Sequence, residues 1–175
     1  MNAKLTLAAL AATSLIALPA LANDNSTAKG QVDINATISP MISITIDQDT
    51  IDLSPSGIDG DVVQSTSFCV ATNNAGQYKM AISDDTNGAT DFALFNSEKG
   101  ENLSYSVGVI DGAAATDPTD VTKGVDTVMT GGNTLGNCDG GETTGTISYT
   151  LASDAYNSAS IGEYTATSIV TVTAE

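Results

Sequence analysis

From Ala28 to Ile38 the sequence runs A-K-G-Q-V-D-I-N-A-T-I. Small or apolar residues (Ala28, Gly30, Val32, Ile34, Ala36, Ile38) alternate without a break with polar ones (Lys29, Gln31, Asp33, Asn35, Thr37). A period of two over eleven residues excludes a helix there and specifies a strand with one buried face. The segment also lies close to the N-terminus. An arm that already carries a strand pattern pairs either with its own sheet or with the sheet of another molecule.

Residues 1–22 have the layout of a secretory signal. Lys4 supplies the positive start, Leu5 to Leu18 is almost wholly small or apolar, and Pro19 precedes Ala20-Leu21-Ala22, an A-x-A cleavage site. Cleavage between Ala22 and Asn23 is expected to release an exported chain. The apolar run is too short to span a membrane, and no later run is longer, so no membrane insertion is expected. The full sequence has 5 Lys+Arg, 21 Asp+Glu and no His, a formal charge of −16; loss of Lys4 with the leader makes it −17. Such a surface repels phosphate backbones and excludes nucleic acid as a natural partner. It suits solubility outside the cell, with calcium or cationic partners as the alternative.

The two cysteines, Cys69 and Cys138, form an even pair in an oxidising compartment and are expected to be bridged. The closed loop of about 70 residues is worth roughly 4 kcal/mol in the chain-entropy model.

Beyond the arm, short apolar runs rich in Thr, Ser, Val and Ile recur between turn clusters. Strands are expected over Met41–Ile46, over Val62–Thr72 as a central strand, around Tyr78, Met80 and Ile82, and at Phe92–Phe95. Further strands are expected through Leu103, Tyr105, Val107 and Val109, at Val125–Met129, at Ile147–Leu151, and finally over Thr165–Ala174. About seven or eight short strands and no repeat imply one all-β sandwich domain.

Catalytic chemistry has little to stand on. Without His there is no Ser–His or Cys–His pair and no common zinc set. Gly131-Gly132-Asn133-Thr134-Leu135-Gly136 lacks the context of a phosphate loop. The carboxylates of Asp47, Asp49 and Asp52, and of Asp84, Asp85 and Asp91, read as turn residues. Asp85-Thr86-Asn87-Gly88 only faintly echoes a calcium loop, since the distal Glu is missing. No catalytic residue, metal or cofactor is expected, and no enzyme activity.

The two ends of the chain complement one another. The last strand pattern stops with the sequence, whereas an immunoglobulin-like sandwich needs one more strand beside its penultimate one. Its lack leaves an open edge and an apolar groove. In this arrangement the chain resembles the subunits of chaperone–usher pili, and most of all the spore-coat-U-like and related alternative pilins. Gly162, fourteen residues from the end, and Tyr164 match the opening of that family's C-terminal strand, and Gly30, Val32, Ile34, Ala36 and Ile38 match its donor strand. Ala174 stands where many members have an aromatic residue, and Met41 and Ile42 where many have a Cys.

The resemblance implies an incomplete immunoglobulin-like β-sandwich of Greek-key type. Residues 1–22 would be the signal, 23–39 the donor-strand arm and 40–175 the pilin domain. Gly162, Tyr164, Ala166, Val170 and Val172 would form the acceptor-groove strand. It also implies a structural subunit that polymerises by donor-strand exchange. Its partners would be neighbouring subunits, a periplasmic chaperone and an outer-membrane usher, and it would pass through the periplasm to a surface pilus. The alternative is a self-complete exported sandwich, a lectin-like or calcium-binding surface domain, in which residues 28–38 are simply the first strand.

Overall fold

The computed structural model describes residues 29–86, 89–112, 115–134, 138 and 141–174. The proposed leader, the Ala22–Asn23 cleavage point, Asn87-Gly88 and Leu135-Gly136 lie outside them. The chain divides into two units, Met1–Thr37 and Ile38–Glu175. In the first, residues 29–37 are exposed throughout and belong to no strand.

The second unit is built almost wholly of strands. In order they are β1 (Ile42–Ile46), β2 (Val62–Thr72), β3 (Tyr78–Asp84), β4 (Ala93–Asn96), β5 (Glu101–Ser104), β6 (Ser106–Asp111), β7 (Thr119–Asp120), β8 (Thr127–Met129) and β9 (Gly145–Leu151). A short helix, α1 (Ser153–Ser158), then precedes β10 (Ser168–Ala174). The ladders are antiparallel, in sheets of order β1-β2-β9-β6-β7, β10-β3-β8 and β4-β5. This is an all-β, immunoglobulin-like sandwich.

Alternation puts the core where two sheets face each other. Phe68, Val70, Val107, Val109, Ile147 and Tyr149 come from the larger sheet, and Tyr78, Met80, Ile82 and Met129 from the smaller. β2 is flanked by β1 and β9, as a strand apolar on both faces should be. Beyond the end of β9, residue 133 takes over the edge of β2: Thr72 N–H donates to the Asn133 carbonyl at 3.0 Å and Asn133 N–H to the Val70 carbonyl at 2.7 Å. Cys69, on the second face, is bonded to Cys138 with 5.7 Å between Cα atoms. Gly145 is required because its partner in register, Phe68, lays its ring where a Cβ would stand.

A buried anchor ties the loops at one end together. The Asp84 carboxylate meets Lys123 Nζ at 2.6 Å and accepts the N–H groups of Thr86 (3.1 Å) and Ala93 (3.0 Å) and the Tyr105 hydroxyl (3.2 Å). Lys123 also donates to the carbonyls of Ala89 and Asp91.

Three expectations need correction. The single strand through Leu103–Val109 is two strands in different sheets: Leu103 pairs with Leu94, whereas Val107 pairs with Tyr149, and Tyr105 sits at the break. The last strand begins at Ser168, not at Thr165, because the residues before it are held by β4 and by side chains: Thr165 bridges Phe95, and the Asp85 carboxylate accepts Thr167 N–H at 2.7 Å. The helix α1 was not expected; its only apolar side chains are one alanine and a tyrosine, too few for a readable stripe.

Candidate functional site at an open sheet edge

β10 pairs with β3 from Ser168↔Asp84 to Ala174↔Tyr78. No strand pairs with its other edge among the described residues. The phase of the ladder decides what that edge offers. Asp85 N–H donates to the Thr167 carbonyl, so Thr167↔Asp85 is a hydrogen-bonded pair. Such pairs alternate along an antiparallel ladder. Ile169, Thr171 and Thr173 therefore bond to β3, and Ser168, Val170, Val172 and Ala174 point their N–H and C=O groups at the free edge. The same four residues are half-buried, and their side chains turn toward the core.

β1 is the mirror case. Asp47 N–H donates to the Ser67 carbonyl and Asn73 N–H to the Met41 carbonyl, so Met41, Ser43, Thr45 and Asp47 bond to β2. That leaves the backbone groups of Ile42, Ile44 and Ile46 facing away from the sheet, with Ile42 and Ile44 half-buried against the core. β1 and β10 lie in contact. Among the described residues, two strand edges without a strand partner thus border one trough.

The trough deepens at the Ser168 end into a cavity of about 310 Å³, lined among others by Ile46, Ile51, Leu53, Leu94, Tyr149 and Val170. Its floor is fixed by buried phenols. The Tyr149 hydroxyl bonds to Ser168 Oγ at 3.1 Å, and burial raises its pKa. Tyr105 is pushed up first by burial, then by the charge and hydrogen bond of Asp84. These phenols stay neutral near pH 7, and Gln48, Asp49 and Thr66 also line the cavity, so the site presents polar side chains beside its apolar surface and backbone donors and acceptors. Among the described residues no group of three or more His, Cys, Asp or Glu is placed to hold a metal ion.

Of the expected groove residues, Ala166 and Val170 line the cavity and Val172 packs on the core. Gly162 and Tyr164 do not belong to the trough. Gly162 lies against the Asn96 side-chain amide, which a Cβ would strike, and the Tyr164 hydroxyl donates to the Ser160 carbonyl or to Glu101 Oε2. The expected donor residues Gly30, Val32, Ile34, Ala36 and Ile38 belong to no strand and are exposed; Val32, Ile34 and Ile38 show 80%, 89% and 82% of their surface. Cys69 and Cys138 are joined.

Ile51 and Leu53 are cavity residues that the sequence reading missed. Their spacing by two is the signal that marks them as a wall of the cavity. Asn73, which bonds both Ser39 and Met41, was missed as well.

No protein-family model matches the sequence, and no curated protein matches it. The fold is similar to a chain in a solved structure of a chaperone–tip adhesin complex from CFA/I fimbriae biogenesis, with a TM-score of 0.53 and 16% identity. The likeness covers 75% of this chain and 42% of that one, so this chain spans less than half the neighbour's length. At that identity the likeness is one of fold.

Proposed function

We propose that this chain is a structural subunit of a bacterial surface pilus, of the alternative or spore-coat-U-like kind, that polymerises by donor-strand exchange. In this reading the leader 1–22 directs export. A periplasmic chaperone covers the open trough, an outer-membrane usher orders assembly, and the arm 23–39 of one subunit fills the trough of the next. The fimbrial complex to which the neighbour belongs supports a fimbrial role.

One observation carries the reading. Among the described residues the chain holds an exposed segment with a strand pattern that no strand pairs, and also a trough with two strand edges that no strand fills. Each supplies what the other lacks. A donor strand adds a backbone ladder to the edge at Ser168–Ala174 while alternate side chains drop toward the core. Burial of Val32, Ile34 and Ile38 contributes roughly 1.5–3 kcal/mol each, together about 5–9 kcal/mol. Donor and acceptor surfaces differ, so the contact is head-to-tail and continues into a fibre. The self-complete alternative needs a strand of the same chain beside β10, and the described residues contain none.

Size-exclusion chromatography of the chain from Asn23 onward tests the reading, with and without a peptide copying residues 26–38. The expected result is polymer or aggregate alone and a stable monomer with excess peptide. A stable monomer that ignores the peptide rules the reading out.

A further inference from the structure

We propose that Asn73 is a positioning residue that holds the root of the arm away from the chain's own trough and so presents the arm to a second copy; this rests on the strand-acceptor reading above. Asn73 is the first residue after β2 and makes three hydrogen bonds to the two residues flanking Pro40. Its N–H donates to the Met41 carbonyl at 3.3 Å, its Oδ1 accepts Met41 N–H at 2.8 Å, and its Nδ2 donates to the Ser39 carbonyl at 3.0 Å.

The grip extends the β1–β2 register one step beyond Ile42↔Thr72, to Met41, and ties the Ser39 carbonyl to the end of β2. Pro40 between them has no N–H to spend elsewhere and a fixed φ.

Asn73 itself stands on a braced turn. Asn74 N–H donates to Thr72 Oγ1 at 3.2 Å and Gln77 N–H to the Asn74 carbonyl at 2.8 Å. Gly76, at a φ of 80°, accepts Gly132 N–H at 3.0 Å on its carbonyl, and a Cβ there would collide with the Gly132 carbonyl. The clamp is therefore fixed to the body rather than carried on a free loop.

The consequence is topological. The trough lies alongside β1, on the edge where Ile42, Ile44 and Ile46 face. For the preceding segment to enter the trough of its own chain, it must reverse direction between residues 38 and 42 and lie back beside β1. That reversal takes the Ser39 carbonyl and the Met41 N–H out of the grip of Asn73. While the grip holds, the alternating segment has only a second molecule's trough to fill. A chain that filled its own trough would be capped and lost to the fibre.

The test is uptake of a fluorescent peptide copying residues 28–38 by freshly refolded monomer, alongside the rate of polymer growth. Asn73→Ala is expected to slow both about tenfold, because the chain's own arm competes for the trough. Adding Ile34→Asp to that same chain is expected to restore peptide uptake, since a charged arm no longer competes; damage to the turn alone would not be rescued in this way. Asn73→Asp keeps the acceptor for Met41 N–H but loses the donor to Ser39, and is expected to fall between; it also serves if Asn73→Ala does not fold. Uptake by Asn73→Ala equal to the parent's, or slow uptake that Ile34→Asp fails to restore, overturns the clamp and leaves the strand-acceptor reading standing. Failure of the parent monomer to take any peptide overturns both.

Discussion

Asp84 carries the strongest electrostatic commitment in the fold. Burial pushes its carboxyl pKa up, but the hydrogen bonds from Lys123, Ala93 N–H and Thr86 N–H, with the Lys123 charge, outweigh burial and hold it below the ordinary value. A carboxyl depressed in the folded state stabilises the fold fully above its unfolded pKa of about 3.9, and that stability is lost as pH falls through the folded value. The urea midpoint is therefore expected to be level from pH 7 to about 5 and to drop below about pH 4, more steeply than in an Asp84→Asn chain. Lys123→Met leaves the buried charge unpaired and is expected to cost about 3–5 kcal/mol in chemical denaturation. None of this was legible beforehand: Asp84 and Lys123 are 39 positions apart, and each in isolation looks like a solvated surface charge. Gly162 stood out in the sequence for its distance from the end of the chain. What the structure gives it is a tight fit against the Asn96 amide, a packing role that spacing cannot reveal.

At the scale of elements, alternation was a good guide wherever a strand has one buried face. β1, β2, β3 and β9 sit within a few residues of their expected bounds because inward positions such as Tyr78, Met80 and Ile82 recur every second residue. It failed at Leu103–Val109, where the inward pattern runs on through Tyr105 while the hydrogen bonds change sheet. Periodicity records which side is buried, and the identity of the neighbouring strand leaves no trace in it. The edge of β10 was foreseeable as an edge, but its phase was not; that phase makes Val170 and Val172 both the apolar floor and the source of free backbone groups. Val172→Asp is accordingly expected to abolish uptake of the arm peptide, a loss of at least tenfold in apparent affinity by fluorescence titration, while a charge at Thr171, on the opposite side, changes it less than threefold. The Cys69–Cys138 bridge belongs to the same scale, since it fastens β2 to a residue 69 positions further along the chain. Replacing both cysteines by Ser is expected to lower stability by roughly 4 kcal/mol in urea titration, provided the midpoint is compared at constant slope.

For the whole molecule, the decisive fact is where the strand ends lie. β1 starts at Ile42 opposite Thr72, β3 starts at Tyr78 just after the turn that follows Thr72, and β10 ends at Ala174 opposite Tyr78. The root of the arm and the Ala174 end of β10 therefore share one pole. A donated arm running parallel to β10 brings two roots to the same pole and lets two copies exchange arms and close. An arm running antiparallel joins the root pole of one copy to the Ser168 pole of the next and leaves an open end for a third. β1 and β10 run opposite ways, with Ile42 and Ala174 at the same pole, so an arm antiparallel to one is parallel to the other and ladder strength does not choose between the two seats. The fibre of the proposed function needs the seat antiparallel to β10, so the expectation is an open fibre of unlimited length in electron micrographs, and a plateau at a dimer in mass photometry would mean the parallel seat. Each subunit from Asn23 onward carries a formal charge of −17, so approach is opposed by like charge at every step. That opposition is screened within about 10 Å at 0.1 M salt and reaches about 30 Å at 0.01 M. Growth from the open end is therefore expected to be several-fold faster at 0.2 M than at 0.01 M sodium chloride, measured by light scattering with preformed seeds. The apolar contacts of the filled trough do not weaken with salt, so the fibres, once formed, are expected to survive the return to low ionic strength. Dissolution on dilution into low salt would mean that screened charge, and not a buried strand, holds the subunits together.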